Sequence, residues 1–361
     1  MSLLFILGIC LVVVICALNS VTPASVDVDV YYPSVNWSDS FDWRLLKVSE
    51  RNEYVLNLGS RIFLHSQIQP KQKFASVAKD FFKTDIELTN FSEANYSSQA
   101  INSWVEKLTN GRISELVKPD ELTETIMLIA NAVYFKGTWK HQFPKNLSSH
   151  GKFYISNGDD ILTITAPYMT TEETFYFVES ENFDAKIIRL PYKGGRYSMI
   201  IVLPNSKGGL PSLLRKINVY SLKNLLYLMD KRTVKITLPK FKFDFQSRLK
   251  STLQKFGLQQ MFQNTASFPG IARGNNTLLR MLVVSDVIQK TGIELDETGT
   301  VVYAATDINF SSRFADEETV FEATHPFLFF IEESSTGSIM FAGKLKNPSE
   351  ISNPEPALKE N

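Results

Sequence analysis

Read for the spacing of its apolar positions, the chain alternates between short period-two stretches and a few segments of helical period. Residues 57–65 predict a strand. Residues 70–82 predict a helix with Pro70 in its first turn, because Phe74, Val77, Ala78, Phe81 and Phe82 recur three or four apart. Ile101, Trp104, Val105 and Leu108 repeat that spacing, with Gly111 near the stop. Ile126 to Phe135 is apolar on both alternating faces apart from Asn131, the pattern of a central strand covered on both sides. Short strands follow over 176–178, 185–190 and 197–203, broken by Pro191, Gly194, Gly195 and Pro204. Residues 209–229 are helical in composition, 234–238 predict a strand, and Leu249, Leu253 and Phe256 make a helical face closed by Gly257. Two last strands cover 326–331 and 337–345. Strands outnumber helices, they do not alternate as βαβ units, and no repeat of about 20–50 residues is present, so the class is α+β with large mixed or antiparallel sheets.

The stretch from Glu294 to Arg313 is of a different kind. Thr300, Val302, Ala304, Thr306, Ile308 and Phe310 form one alternating set, and Val301, Tyr303, Ala305, Asp307, Asn309 and Ser311 form the other. Successive strand residues face opposite sides, so the first set is expected to face a core and the second, with its acid and amide, to face water. Arg313 ends the run, and Phe314, Ala315 and Asp316 follow with a loop-like composition. A spare strand tipped by a basic residue has the form of bait for a protease.

Composition narrows the classes. With 361 residues, 44% hydrophobic side chains and 26 phenylalanines, the chain can bury a large core. Its 38 basic and 38 acidic side chains cancel, so bulk charge implies neither nucleic acid nor an anionic membrane as partner. The apolar run over residues 1–18, short for a membrane span and followed by Ala24 as a small residue for cleavage, predicts a signal peptide over 1–24 and a secreted, extracellular protein. Cys10 and Cys16 both lie within that segment, so the mature chain is expected to hold itself together by core packing without a disulfide. Sequons at Asn36, Asn90, Asn95, Asn146, Asn275 and Asn309 agree with secretion. Residues 25–40 read as an irregular lead-in, and 349–361 as a flexible tail.

Catalytic chemistry finds little footing. His65, His141, His150 and His325 stand in no zinc-binding spacing, and no nucleophile elbow, P-loop or dinucleotide fingerprint occurs. Asp296 and Glu297 are expected to be a solvated turn before Gly299 rather than a catalytic or cation-binding pair. No enzyme activity, metal or cofactor is expected.

Several dispersed segments, taken in order, resemble the serpin family of serine-protease inhibitors over about Phe41 to Pro348. They are Ile101–Val105 with Thr109–Ile113, Asn131–Trp139, Leu190–Gly194, Leu238–Lys242, Glu297–Thr300, His325–Phe330, Phe341–Lys344, and Asn347 with Pro348. The resemblance implies a single domain over 41–348, a three-sheet fold, and an exposed reactive loop. In that family a protease cleaves the loop and is acylated by it, and the cut loop then inserts into the central sheet with the enzyme attached.

By position, the resemblance makes Arg313 and Phe314 the scissile pair. Glu297, Gly299, Thr300, Val302, Ala304, Ala305 and Thr306 become the hinge and inserting loop, and Asn131, Trp139 and His325 belong to the region where the sheet opens. An arginine before the scissile bond implies a trypsin-like serine protease as partner, a covalent acyl complex, and a monomeric inhibitor. The hinge departs from the family's small-residue pattern at Val301, Val302 and Tyr303. Phe41 to Asn57 resembles the end of the family's fourth helix running into a strand, so the three preceding helices are expected to be missing, leaving apolar strand surface bare. A non-inhibitory or degenerate member, acting as a binding protein or protease substrate, or a nonfunctional chain, stays open at this point.

Overall fold

The computed structural model describes residues 54–157, 160–273, 276–297 and 319–348. In chain order these form β1 (Tyr54–His65), β2 (Gln69–Pro70), α1 (Gln72–Phe82), β3 (Thr84–Thr89), α2 (Ala94–Leu108), β4 (Met127–Gly137), β5 (Ser149–Asn157), β6 (Asp160–Ser180), β7 (Ala185–Pro191) and β8 (Tyr197–Pro204). There follow α3 (Leu210–Lys216), α4 (Val219–Tyr227), β9 (Asp230–Pro239), β10 (Phe241–Arg248), α5 (Lys250–Lys255), β11 (Ala272–Arg273), α6 (Asn276–Arg280), β12 (Val284–Leu295), β13 (Thr319–Glu322), β14 (Phe327–Glu333) and β15 (Ser338–Leu345).

Two large sheets carry the fold. The first is five-stranded in the order β10-β12-β4-β1-β3, and the second runs β13-β9-β6-β7-β8-β14-β15 with β5 paired to β6. The 21 residues of β6 serve both arms of the second sheet: its middle pairs with β9 from Tyr168 to Phe177, and its end pairs with β7 from Tyr176 to Ser180. The arrangement is α+β, as expected.

Most strongly periodic segments form the predicted elements, and the departures have local causes. Pro70 does not open a helix. It pairs with Ala272 in the small sheet of β2 and β11, Lys71 remains extended, and α1 begins at Gln72. Residues 209–229 form two helices because the Asn218 side chain accepts from the Ser221 amide at 2.8 Å and starts a new helix there. The edge strand β3 offers only Ile86 and Leu88 as apolar positions in six residues, and the first half of β6 mixes polar and apolar residues on both faces, so neither stands out along the chain.

The five-stranded sheet is covered on both faces. On its front lie α2 and residues 113–122, where Phe63, Ile101, Val105, Ile113, Leu116, Leu128, Ala130 and Ile288 pack together. On its back, Tyr54, Val133, Phe135 and Ile293 join the core of the second sheet, and Ile62, Leu64, Ile129 and Val287 join a cluster with Phe74, Leu253 and Met261. The strand surface expected to be bare is therefore buried at both ends. Between the two clusters the back face turns polar at Ser60, Asn131 and Gln289.

Phe63 is fully buried and meets the Trp104 ring edge-on at 5.8 Å, fastening α2 to β1. Phe63→Ala is expected to destabilise the chain by about 3–5 kcal/mol, read as a lower urea midpoint. Phe81→Ala, at a position 65% exposed, is expected to stay within about 0.5 kcal/mol of the parent.

Candidate functional site

The site is the seam between β4 and β12. These strands are parallel neighbours over nine paired positions, from Met127 opposite Val284 to Phe135 opposite Ile293. The chain leaves the sheet after Leu295, and the next described element, β13, lies in the other sheet. A strand turning back from the Leu295 end into the seam would run antiparallel to both neighbours.

Side chains divide this seam into three zones. In the middle, Ser60, Asn131 and Gln289 face one another in register across β1, β4 and β12. The Ser60 hydroxyl donates to Asn131 Oδ1, while Asn131 Nδ2 and Gln289 Oε1 are buried without a hydrogen-bond partner.

Charge closes the upper end. Lys136 Nζ, on β4, lies 2.6 Å from Glu294 and 2.9 Å from Asp296 on the far side of the seam. The Tyr134 hydroxyl donates to Glu294 at 3.1 Å, and Arg112 stands 3.5 Å from the same carboxylate. Burial acts to raise Glu294, but the hydrogen bond and charge of Lys136 overcome it and hold the carboxyl below its ordinary range. Burial likewise opposes protonation of Lys136, yet its bonds to Glu294 and Asp296 raise it above the usual lysine value. Tyr134 is pushed up to about 12, first by burial and then by the Glu294 charge.

Just beyond β4, the Trp139 indole N–H donates to the Asp296 carbonyl at 2.9 Å, and the ring stacks on Tyr192 at 4.5 Å and 10°. Gly137 makes that approach possible: a Cβ there would sit 2.5 Å from the Tyr192 ring. Glu297, the last described residue before the loop, is gripped from three directions. Lys240 Nζ contacts its carboxylate at 2.8 Å, the Ser148 hydroxyl donates to it at 2.7 Å, and the Phe143 amide donates to its carbonyl at 3.1 Å. Burial opposes ionisation of Glu297, and the bonds from Lys240 and Ser148 still hold its carboxyl low. Asp296 and Glu297 are thus not a solvated turn but the tethered base of the loop.

Of the residues expected at the sheet opening, Asn131 and Trp139 lie along this seam. His325 does not: it is buried beside the second sheet, its Nε2 2.7 Å from the Pro204 carbonyl at the end of β8. The order of motifs in the sequence does not reveal that separation. Gly299, Thr300, Val302, Ala304, Ala305, Thr306, Arg313 and Phe314 lie outside the described residues, as do Asn36, Asn275 and Asn309. Asn95 and Asn146 are exposed, whereas Asn90 is half-buried and donates to Glu93 at 2.8 Å. The expected division of residues 300–311 into a core-facing and a water-facing set likewise falls outside the described residues. Lys136, Glu294, Lys240, Ser148 and Gln289 escaped sequence reasoning as site residues because each acquires its role from a partner far away in the chain. Among the described residues no three His, Cys, Asp or Glu side chains gather as a metal site.

Comparison with known proteins agrees with this geometry. The chain is 35% identical over 318 residues to Serine protease inhibitor 2 of Anopheles gambiae, covering 87% of this chain and 77% of that protein. It is 34% identical over 310 residues to Antichymotrypsin-2 of Bombyx mori, covering 85% and 79%. The fold matches the crystal structure of uncleaved ovalbumin with a TM-score of 0.74 at 26% identity, over 84% of this chain and 80% of that one. The family described as Serpin (serine protease inhibitor) matches residues 35–348, and with the seam, the tethered loop base and the two sheets in place, this chain belongs to the serpin family.

Proposed function

We propose that the protein is a secreted suicide-substrate inhibitor of trypsin-like serine proteases, with the reactive bond between Arg313 and Phe314. The observation that carries this reading is the parallel pairing of β4 with β12 directly below the point where the loop departs. Opening that seam breaks one parallel ladder, and a strand entering it makes two antiparallel ladders, which are slightly stronger per residue. Length permits it. Residues 300–310, extended, span about 36 Å, and the nine paired positions of the seam need about 30 Å, at roughly 3.3 Å per residue.

The chemistry follows from these parts. The protease serine oxygen attacks the Arg313 carbonyl carbon, the amide bond to Phe314 breaks, and the Phe314 nitrogen leaves with a proton, giving an ester-linked acyl-enzyme. Insertion of residues 300–310 then carries the ester, and the protease on it, away before water can cleave it. Arg313 suits a specificity pocket lined by a carboxylate. The protein acts as a monomeric single serpin domain over 41–348, extracellular after loss of residues 1–24, and needs no metal or cofactor.

A second reading is a family member that is cut without inserting. Val301, Val302 and Tyr303 favour it, since they stand where the family's hinge carries small residues. Incubation with trypsin separates the two. Inhibition predicts a complex that survives boiling in detergent and is lost in Arg313→Ala; cleavage without any such complex supports the second reading.

Acid is expected to loosen the loop base. The lowered carboxyls of Glu294 and Glu297 contribute stability that is complete above the ordinary glutamate value and lost as pH falls through their lower folded values. Between about pH 5 and pH 3 the thermal midpoint of the parent should therefore fall more steeply than that of the double variant Glu294→Gln/Glu297→Gln. Equal slopes would mean that other groups set the acid response.

A further inference from the structure

Hydrogen bonds knit the elements on each side of the seam into a body of its own. On one side, Asn102 of α2 accepts from the amides of Leu116 and Val117 at 2.8 and 3.0 Å and donates to the Val117 carbonyl at 2.9 Å. This binds α2 to residues 113–122, and a short 3-10 turn at Pro119–Leu122 leads within a few residues into β4. On the other side, β10 and β12 pair continuously from Phe241 opposite Leu295 to Arg248 opposite Ile288. Opening the seam separates the α2–β4 body from the β10–β12 body.

At the lower end, far from Trp139, one arginine reaches across. Arg248, the last residue of β10, lies 2.7 Å from Asp286 on its own side and contacts Glu121, on the 3-10 turn of the opposite side, through its other terminal nitrogen. Beside it the Ile126 amide donates to the Ser285 hydroxyl at 3.0 Å, a second link across the same gap. The Glu121 side chain is oriented for this contact, since its second oxygen accepts from the Lys118 amide at 2.8 Å. Charge therefore joins the bodies at both ends, while the centre holds the buried amides of Asn131 and Gln289, which no ion pair bridges.

We propose that Arg248 and Glu121 form a lower clasp that holds the seam shut at the end an entering strand reaches last, so that the pair governs completion of insertion and not its start. Both are positioning residues, touching neither protease nor scissile bond. The inference rests on the seam being the receiving site for the loop.

Synthetic peptides with this chain's own loop sequence test it on the intact protein: a long one, residues 299–311, and a short one, residues 299–305, with uptake followed by native gel shift. Glu121→Gln keeps an acceptor for the Lys118 amide and leaves the Arg248–Asp286 bond intact. It should speed uptake of the long peptide roughly two- to fivefold, the scale of one partly exposed ion pair, and leave the short peptide unchanged. Arg248→Gln should do the same, and the double variant should be no faster than the faster single. A urea midpoint close to the parent's verifies that each variant is folded.

An unchanged long-peptide rate in Glu121→Gln overturns the clasp, as does equal acceleration of both peptides, which would report general loosening. An effect confined to Arg248→Gln also overturns it, because the Arg248–Asp286 bond within one body would then suffice. If the parent takes up neither peptide, the seam does not open, and the reading of it as the receiving site falls together with the clasp. Uptake by the parent without the Glu121 effect removes the clasp alone.

Discussion

The parallel pairing of β4 with β12 is the interaction on which the rest depends. Parallel ladders are slightly weaker per residue than antiparallel ones, and here the pair lies at the heart of a sheet whose other long contacts, β1 with β4 and β10 with β12, are antiparallel. The weaker join is thus flanked by two stronger ones. A force that opens the sheet finds this line first, and the loop that would fill it starts from the upper end of the same strand.

Electrostatics reinforces that line where the backbone leaves it weak. Lys136 and Arg112 converge on Glu294 above, and Arg248 meets Glu121 below, each contact adding to the ladder and the apolar packing between the two sides. The exposed pairs contribute little each, but their placement at the ends matters more than their strength. At the centre the opposite choice is made, with a donor on Asn131 and an acceptor on Gln289 left unpaired in a buried row. The seam is thus joined by charge at its ends and lined at its middle by buried polar side chains.

Packing explains why such a sheet can exist at all. Its front is closed by α2 through Phe63, Ile101 and Val105, and its back by the second sheet and by the cluster around Phe74 and Leu253. Coverage on both faces keeps the strands in register, and it also means that an added strand must slide between layers. The tethering of Glu297 by Lys240, Ser148 and the Phe143 amide holds the loop base above those layers.

The sequence by itself determined what local period and residue type can carry. The doubly apolar run at β4, the helical stripe of α2 and the paired strands at the C-terminus were all legible, because each signal is contained within a dozen neighbours. The ordered motifs were enough to suggest the family. Only tertiary structure decided that β12 is a central strand, since Ser285, Asp286, Gln289, Lys290 and Thr291 give it a polar look that its neighbours make tolerable. It also removed His325 from the seam and turned Asp296 and Glu297 from a presumed turn into an anchor. Lys136 meets Glu294 across 158 positions of sequence, and no pattern along a chain records which distant charge will stand 2.6 Å away once two strands lie side by side.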